Sequence, residues 1–419
     1  MKESFDVKFL IWLTILIAIQ FWSYIHFDPA LISGRLPVVV FVILFIYILF
    51  CKKAISNNDP NGIERLVTWT IVTIFLCVIP AYVDYDQSVF QTSFQCMRLS
   101  YGLLMFYILK RSDVRPGYIL LVMTLIGIVW VFLEIFQQGT YPAFWFSGRY
   151  LIYGYVAERM GLWRFYIWGI DFVMLVYAYW LGRFVSEEKN ANRTIAFVLM
   201  AVFMAGLLCY CSRKHIYVTI FVAIYAILSA KGKGKYLYAF IILAILYFLY
   251  DNFYLSFKEM NEKAVSAQGS GEDFIRYMAA EYFIKDFSDS PLYPILGAGM
   301  EVKGSLLYYQ LERLKNIFGN LGFYQADVGI IGYYSKFGLV GVSAIIWYIY
   351  KFIRNWKYID NWLKYFFIMK MILIVFDFWA IWPVGMTAYA YFLYLLDKNI
   401  TKNKLMENEY RNINISLRT

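Results

Sequence analysis

Charge is scarce in this chain: Asp, Glu, Lys and Arg together make up 16% of its 419 residues. A water-facing surface for so many residues needs more, which excludes the two or three soluble domains that length alone would allow. Histidine is scarcer still, with His26 and His215 the only copies. The five cysteines (Cys51, Cys77, Cys96, Cys209 and Cys211) fall mostly inside apolar segments without metal-ligand spacing, and read as ordinary buried thiols. No Ser–His–Asp arrangement, Walker loop or metal-binding motif occurs. Internal repeats and low-complexity tracts are also lacking. The first apolar block begins near Lys8 and has no small-residue cleavage site, so it is expected to stay as a helix.

What the chain has in abundance is apolar sequence, at 61% of residues, in blocks of roughly 17–25 that match the bilayer core. The fold expected is all-α: one polytopic membrane domain over 1–419 with about twelve spanning helices. The spans fall near 8–26, 36–51, 66–83, 89–109, 118–137, 166–183, 195–211, 216–231, 236–252, 328–350, 364–382 and 385–397, the last one short. The net charge of +10 does not point to nucleic acid, because the basic residues lie in short clusters between apolar blocks. Lys52, Lys53 and Arg65; Lys110, Arg111 and Arg115; Arg183, Lys189 and Arg193; Lys231, Lys233 and Lys235; Lys351, Arg354 and Lys357; and the tail from Lys398 all fall on alternate loops. The loops at 84–88 and 383–384 carry no basic residue. The positive-inside rule puts the basic set and both termini in the cytoplasm.

Two external segments are then long. The first, 138–165, is rich in aromatics and carries Arg149, Arg159 and Arg164. The second, 253–327, is expected to hold two amphipathic helices. One spans Asp273 to Phe287, with Phe274, Met278 and Tyr282 on one face and a Glu281–Lys285 pair; Pro291 and Pro294 stop it. The other covers 304–318, with Leu307, Leu311, Leu314 and Phe318 as its stripe. Between them, Gly297-Ala298-Gly299 reads as a turn whose amides can approach an anion. The 38 tyrosines and 37 phenylalanines are expected at interfaces or lining a cavity.

Several residues break the membrane rules, and these are the functional candidates. Ser212-Arg213-Lys214-His215 is a short turn on the external side, where cations are disfavoured, which points to an anionic ligand; the bland reading is a snorkelling anchor. Arg98 and Lys336 lie within apolar spans and mark a cavity or a partner by default, with Asp171 and Asp377 as their candidate counter-ions. Arg276 sits on the polar face of the first loop helix, where a solvated charge is the plain alternative. Asp327 precedes a span, as a cap or as a general base for an acceptor hydroxyl, and His215 is a second candidate base. Guanidinium groups bind diphosphate bidentately and stay charged, so they can neutralise it without a metal.

These segments resemble the O-antigen polymerase and ligase superfamily. Ser212-Arg213 is similar to its Ser-Arg motif. Arg276-Tyr277, Phe287, Ser290-Pro291 and Leu296-Gly297-Ala298-Gly299 resemble its arginine, helix, proline and Leu-Gly-x-Gly turn. Ala326-Asp327-Val328-Gly329-Ile330-Ile331-Gly332, followed by Phe337-Gly338-Leu339-Val340-Gly341, resembles its next helix. The likeness covers about 195–350. It implies a membrane fold like that of the C-type glycosyltransferases, in the bacterial cytoplasmic membrane, with no metal and no cofactor. The implied partners are undecaprenyl-diphosphate-linked oligosaccharides as donor and acceptor, membrane lipid and a chain-length regulator protein. Carried over, Arg213 and Arg276 hold the donor diphosphate. Ligases of the family have a histidine where Asp327 stands, which favours a Wzy-type polymerase. Arg98, Arg149, Arg164, Lys214, Lys336, Gly297 and Gly299 complete the expected substrate contacts, with 138–165 and 253–327 as sugar-binding lids. The alternatives are a ligase, a lipid-linked oligosaccharide flippase or other transporter, and a non-catalytic assembly partner.

Overall fold

The computed structural model describes residues 5–22, 29–50, 59–143, 145, 157–159, 161–165, 167–186, 190–230, 262, 274–317 and 323–416. Among them the chain is all-α apart from one antiparallel hairpin, β1 (Ala157–Arg159) and β2 (Leu162–Arg164), in which Glu158 faces Trp163. The first helices are α1 (Phe5–Ala18), α2 (Pro29–Phe50), α3 (Ile63–Leu76), α4 (Val78–Val83), α5 (Val89–Ser112) and α6 (Pro116–Thr140). After the hairpin come α7 (Ile170–Ser186), α8 (Asn190–Cys209), α9 (Arg213–Leu228), α10 (Ile275–Lys285), α11 (Tyr293–Leu296), α12 (Leu306–Ile317), α13 (Gly329–Arg354), α14 (Asn361–Leu373) and α15 (Pro383–Ser416).

Among the described residues, four stretches are long and apolar enough to cross a membrane: Ile63–Val83, Pro116–Thr140, Ala191–Cys209 and Gly329–Arg354, with Gly34–Phe50 a shorter apolar helix. This is fewer than the expected twelve, for physical reasons. α1, α7, α9 and α14 have 14, 17, 16 and 13 residues, less than the roughly 20 that a hydrocarbon core asks of a straight helix. α5 carries polar and charged residues through its length, and α15 is charged from Asp397 onward. The expected span 236–252 lies outside the described residues.

The helices sort their ends. At one end Lys8 lies over the Tyr118 ring, Arg111 donates to the Ile48 carbonyl, and Lys110 pairs with Glu64 at 2.9 Å and Asp397 at 3.7 Å. Gly62 packs on the Lys351 side chain, Gly182 packs on Trp362, and Asn399 accepts from the Asp360 amide at 2.9 Å. At the opposite end Gly299 packs on Cys77 and Ala81, the Ile330 amide donates to Ile374, and Lys214 pairs with Asp377. Among the described residues, Lys8, Lys110, Arg111 and Lys351 therefore lie at one end of the bundle, and most described candidate site residues gather at the other. Between the two ends runs an aromatic core, including the Phe352–Phe367 stack at 3.8 Å and Tyr348 edge-on to Tyr389 at 5.2 Å.

A second cluster covers the site end. Ile275, Ala279 and Phe283 are the buried face of α10, one residue out of step with the expected Phe274, Met278 and Tyr282 face; Met278 is exposed instead. The register shifts because Phe283 is drawn onto Phe287 and Phe323. On α12, Leu307, Leu311 and Leu314 are buried as expected, whereas Phe318 lies outside the described residues. The Glu281–Lys285 pair is present at 2.7 Å.

α13 breaks at Gly338, whose φ of 62° and ψ of −166° leave the helical region. The break interrupts the helical hydrogen-bond ladder. The Ser335 and Lys336 carbonyls accept instead from the amides of Ala298 (2.8 Å) and Gly299 (3.0 Å). Gly297 allows this approach, since a Cβ there would meet the Lys336 carbonyl carbon at 2.3 Å. The expectation that this turn presents amides to an anion is thereby corrected. The Gly297 amide donates to Tyr293 at 2.8 Å, so all three donors of the turn are occupied. Gly297 and Gly299 dock the segment before α12 onto the kinked helix.

Candidate site around Asp327

Asp327 ends a 3-10 turn, Gln325–Asp327, directly before α13. It does not cap that helix: Val328 holds the N-cap position without a side-chain bond. The Asp327 amide donates to the Tyr324 carbonyl at 3.0 Å, and among the described residues its carboxyl makes no hydrogen bond or ion pair. Burial raises its pKa above the ordinary aspartate value, while Arg276, Lys214 and Arg164 pull it down and Asp377 pushes it up. Cations from three distant segments therefore lie within electrostatic reach of this single carboxyl. They are the hairpin (Arg164 on β2), the start of α9 (Lys214) and α10 (Arg276). Arg276 does not close onto Asp327, and its Nε is buried without a hydrogen-bond partner.

Arg213, Lys214 and His215 are the first turn of α9 rather than a free loop, and Ser212 is the residue before it. Cations at a helix N-terminus oppose the macrodipole, so the sequence keeps them there against local preference. Arg213 is half-buried at the first position, adjacent to Lys214. The Lys214 ammonium is paired with Asp377 at 2.6 Å. His215 is buried, its Nδ1 hydrogen-bonded to Ser212 Oγ at 2.7 Å and its Nε2 3.8 Å from Asp377 Oδ2. Burial drives the imidazole down to about 3, with Asp377 opposing and Lys214, Lys370 and Arg164 assisting. His215 is therefore neutral at physiological pH and is a weak proton acceptor.

The expected counter-ion scheme is corrected. Asp377 holds Lys214 and His215, and Asp171 pairs with Lys370 deep between α7 and α14. Arg98, half-buried on α5, and Lys336, buried on α13, pair with no acid among the described residues. Arg149 lies outside the described residues.

Three further residues escaped sequence reading. Lys370 interrupts an apolar run, the signal that singled out Arg98 and Lys336. Glu134 is fully buried in α6, its carboxyl oxygens lacking hydrogen-bond partners, with Arg164 as the charge acting on it. Gln138 had no sequence signal, because a lone glutamine near a helix end is ordinary. Among the described residues, no three His, Cys, Asp or Glu side chains gather as metal ligands.

No family model matches the chain, and no curated protein matches it significantly.

Proposed function

We propose that the chain is a polysaccharide polymerase of the bacterial cytoplasmic membrane. In this reading it has about twelve spans, a membrane fold like that of the C-type glycosyltransferases, both termini in the cytoplasm and the Asp327 end facing outward. It transfers a growing glycan from undecaprenyl diphosphate to a lipid-linked repeat unit. The observation that carries this reading is that α10, which holds Arg276, packs against the Gln325–Asp327 turn and α13, with Lys214 and Arg164 also acting on the Asp327 carboxyl.

The chemistry needs both signs of charge. The acceptor hydroxyl oxygen bonds to the anomeric carbon, the bond from that carbon to the diphosphate oxygen breaks, and undecaprenyl diphosphate departs with the electron pair. Guanidinium and ammonium groups held in a site of low dielectric stabilise that departing charge. Arg276 and Arg213 are the diphosphate ligands in this scheme, joined by Arg164. Asp327 takes the hydroxyl proton; a carboxyl raised by burial is a better base than a solvated one, and His215 is too weak a base for the task. Aromatic faces of the external segments hold the sugars.

Purified protein reconstituted with lipid-linked repeat units tests this directly. A ladder of multimers from the protein alone supports polymerase activity. Movement of the lipid-linked unit across the bilayer without multimers indicates a flippase and refutes the proposal.

A further inference from the structure

The two segments that carry Arg164 and Arg213 are far apart in sequence, yet one side chain binds the backbone of both. Gln138, in the last turn of α6, accepts at Oε1 from the Trp163 amide at 2.9 Å and donates from Nε2 to the Trp163 carbonyl. The same Nε2 donates to the Cys209 carbonyl at 3.1 Å, at the end of α8. Trp163 immediately precedes Arg164, and Cys209 lies one short turn before Arg213. A primary amide carries one acceptor and two donors, which is the set these three backbone groups require. Aspartate and glutamate lack the donors, and lysine lacks the acceptor. The Tyr141 ring stacks on Trp163 at 4.1 Å, pressing β2 against the end of α6. Neighbouring Gln137 ties down the start of the same segment through the Ala143 carbonyl and the Trp145 amide.

We propose that Gln138 is a positioning residue for diphosphate binding, a clasp that fixes the Arg164 hairpin against the chain leading into the Ser212-Arg213 turn. This rests on the polymerase reading of the site. Gln138 touches no substrate and acts through the two arginines. A site assembled from separate segments loses affinity when the segments shift by a fraction of an ångström, even with every charge in place.

The test measures binding of undecaprenyl diphosphate to the full chain in nanodiscs, for wild type, Gln138→Ala, Gln138→Glu, Arg164→Ala and Gln138→Ala/Arg164→Ala, with thermal unfolding recorded for each. The proposal expects Gln138→Ala to bind about tenfold more weakly. Gln138→Glu, which keeps the size and the acceptor but loses both donors, should be equally weak. Arg164→Ala should cost much less in the Gln138→Ala background than in wild type, because the clasp is already open. Equal costs of Arg164→Ala in both backgrounds would overturn the clasp, as would full affinity in Gln138→Glu. So would affinity losses that merely track lowered unfolding temperature. If the wild type itself binds no undecaprenyl diphosphate, the diphosphate site fails and the clasp fails with it. Wild-type binding with an indifferent Gln138→Ala sinks the clasp alone.

Discussion

Replacing Lys370 by methionine asks whether the charge buried between α7 and α14 is a strut or an accident. The Lys370 and Asp171 side chains are 4% and 11% exposed and pair with each other. Lys370 Nζ also lies 5.4 Å from the Phe366 ring centroid and 3.9 Å from Met174 Sδ. Removing one member of a buried pair strands the other charge in a medium that cannot solvate it, at about 3–5 kcal/mol. Losing the ring contact adds roughly 0.5–1 kcal/mol. Replacing both members, as in Lys370→Met/Asp171→Leu, leaves no stranded charge and is expected to be neutral or mildly stabilising. The order of stability should therefore be the two single variants far below wild type, with the double variant at or above it. Thermal unfolding in one detergent, at matched lipid content, reads that order. A double variant as unstable as Lys370→Met would refute the reasoning, because the cost would then lie in lost packing and not in an uncompensated charge.

Further outcomes follow from the same contacts. Gly338→Ala should destabilise the chain by about 3 kcal/mol or more, since a non-glycine residue at this φ is strained and its Cβ would meet the Ile295 carbonyl oxygen at 2.2 Å; lowered protection of the 298 and 299 amides in hydrogen exchange would mark the undocked turn. If Asp327 must be ionised to act, the acid limb of polymerisation should lie above the pH at which an ordinary aspartate titrates, because its pKa is raised, and Asp327→Asn should remove the activity with its limb. The stability contribution has the opposite sign from that of a salt-bridged aspartate: the folded state holds this proton more tightly, so Asp327 destabilises the fold as pH rises through its raised pKa. Denaturant midpoints against pH should show that slope flattened in Asp327→Asn. Asp377→Asn should free Lys214 and weaken the packing of α9 on the 374–378 segment, and limited proteolysis near residues 210–215 would report it.

The all-helical class was legible because long apolar runs are a local signal that packing cannot reverse. Lys214 could be singled out because a cationic short turn breaks a strong rule, and Arg276 and Arg164, in long segments exempt from that rule, only as charges with a plain solvated reading. Their partners could not. Asp377 belongs to Lys214 and Asp171 to Lys370 through helix contacts separated by more than a hundred residues, and sequence spacing holds no record of such pairings. The Gly297-Ala298-Gly299 turn misled for a related reason. Glycines that approach a ligand and glycines that approach a kinked helix look identical until the second helix is in place. Gln138 was invisible because its role lies entirely in which backbone groups happen to end beside it.

The central claim is that Arg213 and Arg276, from different segments, hold one diphosphate leaving group. Product ladders from reconstituted Arg213→Ala and Arg276→Ala, at matched levels of folded, inserted protein, test it most directly. The account predicts loss of multimers by about 10²–10³-fold in each single variant, the range for removing one donor from a charge-stabilising site. Ladders of wild-type yield and length from either variant would contradict it.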